Sequence, residues 1–182
     1  MRLPRRRFLV VGLALVAAVL LWRLRTSRPP VELPEPAASD STGTGLKAVT
    51  LWFASPGADS LVAEPREMPE TPGLHARLAA LVAALEQGPR QGGSRTLPEG
   101  TLLLHAYLDD AGLLTLDLSL PFRQGFRGGA RAEELTLGSL VRTIATNEPE
   151  IKRIRIVCAG VALPTLGGHF PLDQPLDIDE WP

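Results

Sequence analysis

Residues 102–120 read LLLHAYLDDAGLLTLDLSL, and this stretch is the clearest structural signal in the chain. Apolar and polar residues alternate on both sides of Asp110-Ala111-Gly112, which is a typical turn sequence. We therefore expect an antiparallel hairpin with one apolar face. The alternation assigns to that face Leu102, Leu104, Ala106 and Leu108 on the first arm, and Leu114, Leu116, Leu118 and Leu120 on the second.

The segments on either side of this hairpin show strand and helix patterns in turn. The alternation of Val49, Leu51 and Phe53 predicts a strand, and residues 60–67 predict its return in a hairpin. Pro72 begins a helix that ends near Gln87. A second helical stripe and a last strand follow, carried by Leu137, Leu140, Val141 and Ile144, and then by Ile154, Ile156 and Cys158. The order ββαββαβ predicts an α+β domain, with two helices on one face of a mixed, mainly antiparallel sheet.

The N-terminus carries an uncharged run of 15 residues from Phe8 to Trp22, centred on Leu15 and flanked by arginines. A cleaved signal peptide, a lipoprotein signal and a twin-arginine signal are the alternatives. No small-residue cleavage site follows the run, and no Cys lies just after it to carry a lipid, since the single Cys is Cys158. We therefore predict one transmembrane helix that serves as an uncleaved signal anchor in the cell (inner) membrane, with a cytoplasmic N-terminus and an extracytoplasmic, periplasmic domain.

The predicted organisation along the chain has five parts. They are a cytoplasmic tail over 1–7, the anchor over 8–25, a Pro/Ser/Gly-rich linker over 26–46, the folded domain over 47–175 and an acidic C-terminal tail over 176–182.

The charges are divided unevenly along the chain. Residues 1–28 hold seven Arg and no acid, so the remainder holds 19 − 7 = 12 basic against 20 acidic residues. An acidic domain argues against a nucleic-acid partner, because phosphate contacts need clustered Lys and Arg.

Few residues have the spacing of a catalytic or metal site. The three histidines lack metal-ligand spacing, and the single Cys158 falls on the apolar face of a strand, where a buried thiol is expected. The sequence therefore predicts no catalytic residue, no metal and no cofactor.

One predicted surface has the composition of a protein interface. Trp52, Tyr107, Arg153 and Arg155, together with Leu103, fall on the non-core side of the predicted sheet. Aromatic residues and Arg are enriched at the centres of interfaces. The alternative is an ordinary solvated sheet face with scattered apolar residues.

Several short motifs resemble those of the GerMN domain family, the sporulation and spore-germination GerM-like module. They are LEQGP at 85–89, LPEGT at 97–101, LTLDLS at 114–119 with Phe122, and the TLGGH loop at 165–169, which contains Gly167, Gly168 and His169. In order they cover about residues 47–175. The resemblance implies a fold similar to ring-building motifs, without known catalysis, in an exported and membrane-tethered protein that supports assembly of an envelope complex. Here the module is present in a single copy.

Three functional hypotheses follow, in this order. The first is a noncatalytic, membrane-anchored module that binds envelope proteins or self-associates. The second is a module that binds cell wall or a small ligand through the Gly-rich loops 122–130 and 167–170. The third is an uncharacterised enzyme.

Overall fold

The computed structural model describes residues 45–181, which belong to one compact unit. The predicted anchor, with Phe8, Leu15 and Trp22, lies outside these residues, as does nearly all of the predicted linker. No helix within residues 45–181 is long and apolar enough to cross a membrane.

The described residues form seven strands, three α-helices and one short 3₁₀-helix. Their bounds in chain order are β1 (Leu46–Ala54), β2 (Leu61–Pro69), α1 (Leu74–Gln87), β3 (Leu103–Leu108), β4 (Leu113–Leu118), α2 (Leu120–Gln124), α3 (Ala130–Asn147), β5 (Arg153–Cys158), β6 (Val161–Ala162), β7 (Leu176–Asp177) and the 3₁₀-helix Ile178–Glu180. The α+β class is confirmed, but the helix count differs from the prediction. Pro121 lies in the first turn of the unpredicted helix α2, where its missing N–H costs no hydrogen bond.

The larger sheet has the strand order β3-β4-β5-β6, and β7 also pairs with β5. Strands β3 and β4 form the predicted antiparallel hairpin. Strands β4 and β5 run parallel, because α3 lies between them in the chain and brings β5 back in the same direction. The sheet is therefore mixed. The pairing of β7 also places Leu176 and Asp177, which we expected in the acidic tail, within the sheet.

The hairpin β1–β2 forms a separate two-stranded sheet, which corrects the prediction of a single sheet. The outer edge of β1 is bonded to side chains of α3. Asn147 bonds to both the N–H and the carbonyl of Thr50, and Thr143 accepts a hydrogen bond from the Trp52 N–H. These side chains occupy the edge where another strand would pair.

The first arm of the larger hairpin contains a β-bulge that overturns part of the predicted alternation. The register shifts between Leu103 and His105, so Leu104 is an extra residue. Leu103 therefore packs against the core, whereas Leu102 and Leu104 are exposed. Period-2 reasoning assumes an unbroken ladder and cannot detect such an insertion.

The core lies between one face of the larger sheet, the helices and β1. Leu114, Leu116 and Leu118 of β4 are fully buried, as are Leu78 of α1 and Leu137 of α3. The opposite face of the larger sheet carries exposed or half-buried residues, which makes it available for other roles.

Candidate functional site

Three of the four residues of the predicted interaction surface lie together on the outer face of the larger sheet. Tyr107 on β3 stands in one cross-strand row with Thr115 on β4 and Arg155 on β5. Arg153 lies one row away beside Asp177 of β7. Tyr107 is 68% exposed, and both arginines are exposed. We call Tyr107, Arg153 and Arg155 the outer face.

The fourth residue, Trp52, does not belong to this surface. It lies on β1, in the other sheet, with the Arg142 guanidinium 4.3 Å from its ring centroid. Its indole Nε1 donates to Thr146 at 3.1 Å. Trp52 therefore packs on helix α3, and its proposed place beside Tyr107 was wrong because it assumed a single sheet.

Sequence reasoning missed a heavily bonded polar group of the domain, the carboxylate of Glu133. This side chain in the first turn of α3 is fully buried. Its Oε1 accepts from the Leu166 N–H at 3.0 Å, and its Oε2 accepts from the His169 N–H at 2.9 Å. The His169 Nδ1 lies 3.0 Å from the same Oε2. Glu133 thus holds the predicted Gly167-Gly168-His169 loop against α3.

The hydrogen bonds decide the charge state of this carboxylate. Burial acts to raise the pKa of Glu133, but bonds from the Gly167 N–H, the His169 side chain and the His169 and Leu166 N–H groups together lower it below its ordinary value. Glu133 is therefore ionised at neutral pH. A Glu in a first helical turn favours a helix start, but nothing nearby in sequence points to a loop 33–37 residues away.

The two Gly-rich loops that we considered for ligand binding meet in the structure. A Cβ added at Gly167 would lie 2.6 Å from Phe126 Cε1 and 2.9 Å from Glu133 Oε2. Only glycine permits this approach without a shift of the neighbouring side chains. The 122–130 loop is therefore packed against the loop that Glu133 holds.

A cleft of about 660 Å³ opens beside the first of these loops. It is lined by residues 125–127 and 129–132, residues 94–98 and the end of β1. Arg95, Arg127 and Arg131 line it, and its described lining contains no Asp or Glu, although Arg131 pairs with Glu134 outside the cleft at 2.6 Å. Arg127 Nη1 donates to the carbonyls of Gln124 and Phe126 at 2.6 and 2.7 Å, which fixes its position and leaves its other donors available. The cleft could accept an anionic group.

Cys158 is buried, as predicted. Its side chain is 2% exposed, and burial raises the pKa of its thiol. His75 and His105 lie apart from the Glu133–His169 pair, on α1 and β3. Within residues 45–181, no three His, Cys, Asp or Glu side chains are placed to hold a metal ion.

Comparison with known proteins identifies the family. The family model Germane, described as sporulation and spore germination, matches residues 50–163. A crystal structure of a candidate lipoprotein from Clostridium perfringens is similar at 27% identity and a TM-score of 0.52, and the match covers 75% of this chain and 90% of that one. No curated protein sequence matches.

Two further structures come from the sporulation protein GerM of Bacillus subtilis. Its first GerMN domain has 16% identity and a TM-score of 0.61, over 74% of this chain and 99% of that one. Its tandem GerMN domains have 17% identity and a TM-score of 0.60, over 73% of this chain but 46% of that one. The match to about half of the tandem corresponds to one domain of the two. The chain therefore belongs to the Germane family, and its described residues 45–181 form one GerMN domain.

Proposed function

We propose that this protein is a noncatalytic interaction or assembly module of the bacterial cell envelope. Its N-terminal residues 8–25 anchor it as a single membrane span, and the GerMN domain lies outside the cytoplasm. The names of the similar structures, a candidate lipoprotein and a sporulation protein, support an envelope location and a role related to sporulation or germination.

The outer face is the observation that carries this proposal. It combines an aromatic side chain with two guanidinium groups on a rigid sheet, and residues of these types are those that contribute most to binding energy at interfaces. The core lies on the opposite side of the sheet, so an interaction at the outer face requires no rearrangement of the fold.

The experiment is capture of envelope partners by the full chain after cross-linking in its own cells. We expect the double variant Tyr107→Ser, Arg155→Glu to lose the captured partners. The control is Arg90→Glu, which makes the same charge change at an exposed position beside the end of α1. Equal recovery by the double variant and the control would show that the outer face is not the binding surface.

The location of the domain is tested separately. We expect alkaline phosphatase fused to the C-terminus to be active, because that enzyme needs an oxidising compartment to form its disulfides. An inactive fusion that is expressed at the normal level would contradict an extracytoplasmic domain.

The second candidate function is binding of a cell-wall fragment or another small anionic ligand in the arginine-lined cleft. Its volume lies within the roughly 300–1,000 Å³ typical of ligand sites. We would measure co-sedimentation of the full chain with purified peptidoglycan. Retention that is lost in Arg127→Glu but kept in Arg90→Glu would favour this candidate, and no retention of the unmodified chain would reject it.

A further inference from the structure

We propose that β3 is a homodimerisation edge, on which β3 of a second copy pairs in antiparallel fashion across a two-fold axis. The pairing would join the two larger sheets into one continuous sheet. The biological role of this dimer rests on the proposed assembly function. Its geometry depends on the edge of β3 and not on the outer face.

The first argument is that the other strand edges in residues 45–181 are protected. The edge of β1 that does not pair with β2 is bonded to three side chains of α3. Asn147 and Thr143 satisfy the N–H groups of Thr50 and Trp52, and Ser139 donates to the Trp52 carbonyl. A strand that is covered in this way cannot add another strand.

The remaining protected edges use prolines, charges or short length. Strand β2 contains Pro65 and Pro69, and the exposed Glu67 lies between them. The edge of the larger sheet opposite β3 ends in β6 and β7, which have two residues each. Prolines, charges and very short strands are the usual devices against edge-to-edge association.

Strand β3 lacks proline and charge. Its sequence, LLHAYL, contains neither Pro, Lys, Arg, Asp nor Glu. Among the described residues, no side chain outside β4 and no loop backbone bonds to its main chain. The bulge at Leu104 is its single protective feature, and it leaves the segment from His105 to Leu108 regular.

The core is also incompletely closed at this edge. On β4 the core-facing leucines 114, 116 and 118 are 0% exposed, whereas the core-facing Leu103, Ala106 and Leu108 of β3 are only half-buried. The exposed apolar side chains Leu104 and Tyr107 lie on the same strand. A strand laid along β3 would bury part of this apolar surface, which is favourable.

The alternation of the hairpin indicates which groups would bond to the second copy. The Asp109 N–H donates to the Leu113 carbonyl, towards β4. Backbone groups alternate in direction along a strand, so those of Ala106 and Leu108 point to the open edge. His105 and Tyr107 then occupy non-hydrogen-bonded positions of the new ladder, where side chains of paired strands approach most closely.

A second copy of the same strand fits this edge for two reasons. Antiparallel pairing of identical strands is the isologous arrangement of a two-fold dimer, in which one surface is complementary to itself. Because β3 carries no Lys, Arg, Asp or Glu, the pairing brings no like charges from its own residues together. The antiparallel pairing also places the Leu103–Leu104 end of one strand beside the Tyr107–Leu108 end of the other.

Site-specific disulfide formation in the full chain in detergent tests the geometry. In a Cys158→Ala background we would introduce His105→Cys and Tyr107→Cys, separately and as a mixture of the two. The control is Val161→Cys, which is 61% exposed on the far edge of the sheet. We expect rapid cross-linked dimers from at least one of the three samples, and slow cross-linking of the control. If none of the three samples cross-links faster than the control, the proposal is overturned.

A charge variant tests the same edge without cysteine chemistry. Leu104→Lys should weaken dimerisation about tenfold or more, since like charges would meet at the edge. Val161→Lys should leave it unchanged, with circular dichroism to check the fold of both variants. An unmodified chain that is monomeric at high micromolar concentration also overturns the proposal. Partner capture reports on the outer face separately, so a monomer that still captures partners rejects the edge and not the proposed function.

Discussion

Replacing the buried Glu133 by Gln should destabilise the domain and release the 166–170 loop. The substitution keeps the shape of the side chain but turns one of its two acceptor oxygens into an NH₂ group. If Oε1 is replaced, the Leu166 N–H loses its acceptor; if Oε2 is replaced, both His169 donors lose theirs. The amide NH₂ would then face the backbone N–H of Leu166 or of His169 at a buried position.

The magnitude follows from the number of donors left without an acceptor. A buried donor without a partner costs about 1–3 kcal/mol, so one or two of them cost about 1–6 kcal/mol. We expect the lower part of this range, because the His169 side chain is 43% exposed and water can replace part of what it loses. The matched control is Glu134→Gln on the next residue. Its carboxylate pairs with Arg131 at 2.6 Å, but the two side chains are 30% and 51% exposed, and exposed pairs contribute about 0–1 kcal/mol.

The assay is urea unfolding of the full chain in a mild detergent, followed by near-ultraviolet circular dichroism, with amide exchange of residues 165–170 as the local readout. We expect Glu133→Gln to lower the unfolding free energy and to accelerate exchange, and Glu134→Gln to do neither by a comparable amount. Equal effects of the two variants, or a Glu133→Gln loss below about 0.5 kcal/mol, would refute the role assigned to this carboxylate.

The pH dependence gives a second signature of the same group. The pKa of Glu133 is lowered in the folded state, so its contribution to stability is complete above the unfolded pKa of about 4.3. It is lost as the pH falls through the lower folded pKa. The Gln variant lacks this contribution at every pH, so it should lose less stability than the unmodified chain on acidification. Parallel pH profiles would contradict this reasoning.

Three further predictions follow from particular contacts. Gly93→Ala should lower the unfolding free energy, measured by thermal unfolding, by about 2 kcal/mol more than Gly92→Ala. Both residues have positive φ, but only a Cβ at Gly93 would lie 2.6 Å from a carbonyl oxygen of β1. Asn147→Ala removes both hydrogen bonds between Asn147 and Thr50. It should lower the unfolding free energy by about 1–3 kcal/mol. It should also increase aggregation, measured by light scattering, because the edge of β1 becomes open. Burial raises the pKa of the Cys158 thiol, so iodoacetamide should label it about tenfold or more slowly than a free thiol until the chain unfolds.

Much of the element order could be predicted because it depends on local patterns. The helix from Leu74 to Gln87 and the hairpin of β3 and β4 follow from apolar periodicity and turn residues that are close in sequence. The burial of Cys158 follows from the same alternation. The order and spacing of several motifs were sufficient to identify the family, which the match over residues 50–163 confirms.

The separation of the two sheets, the bulge at Leu104, the arginine-lined cleft and the bonds of Glu133 depend on contacts between distant parts of the chain. The 4-residue spacing of Ser139, Thr143 and Asn147 does mark one polar side of α3, yet periodicity alone cannot say that this side bonds to a strand 87–97 residues away. Residue patterns report which side of an element is apolar or polar. Which element covers that side is chosen by packing and by the need of each buried polar group for a partner, and those conditions exist only once the chain is folded.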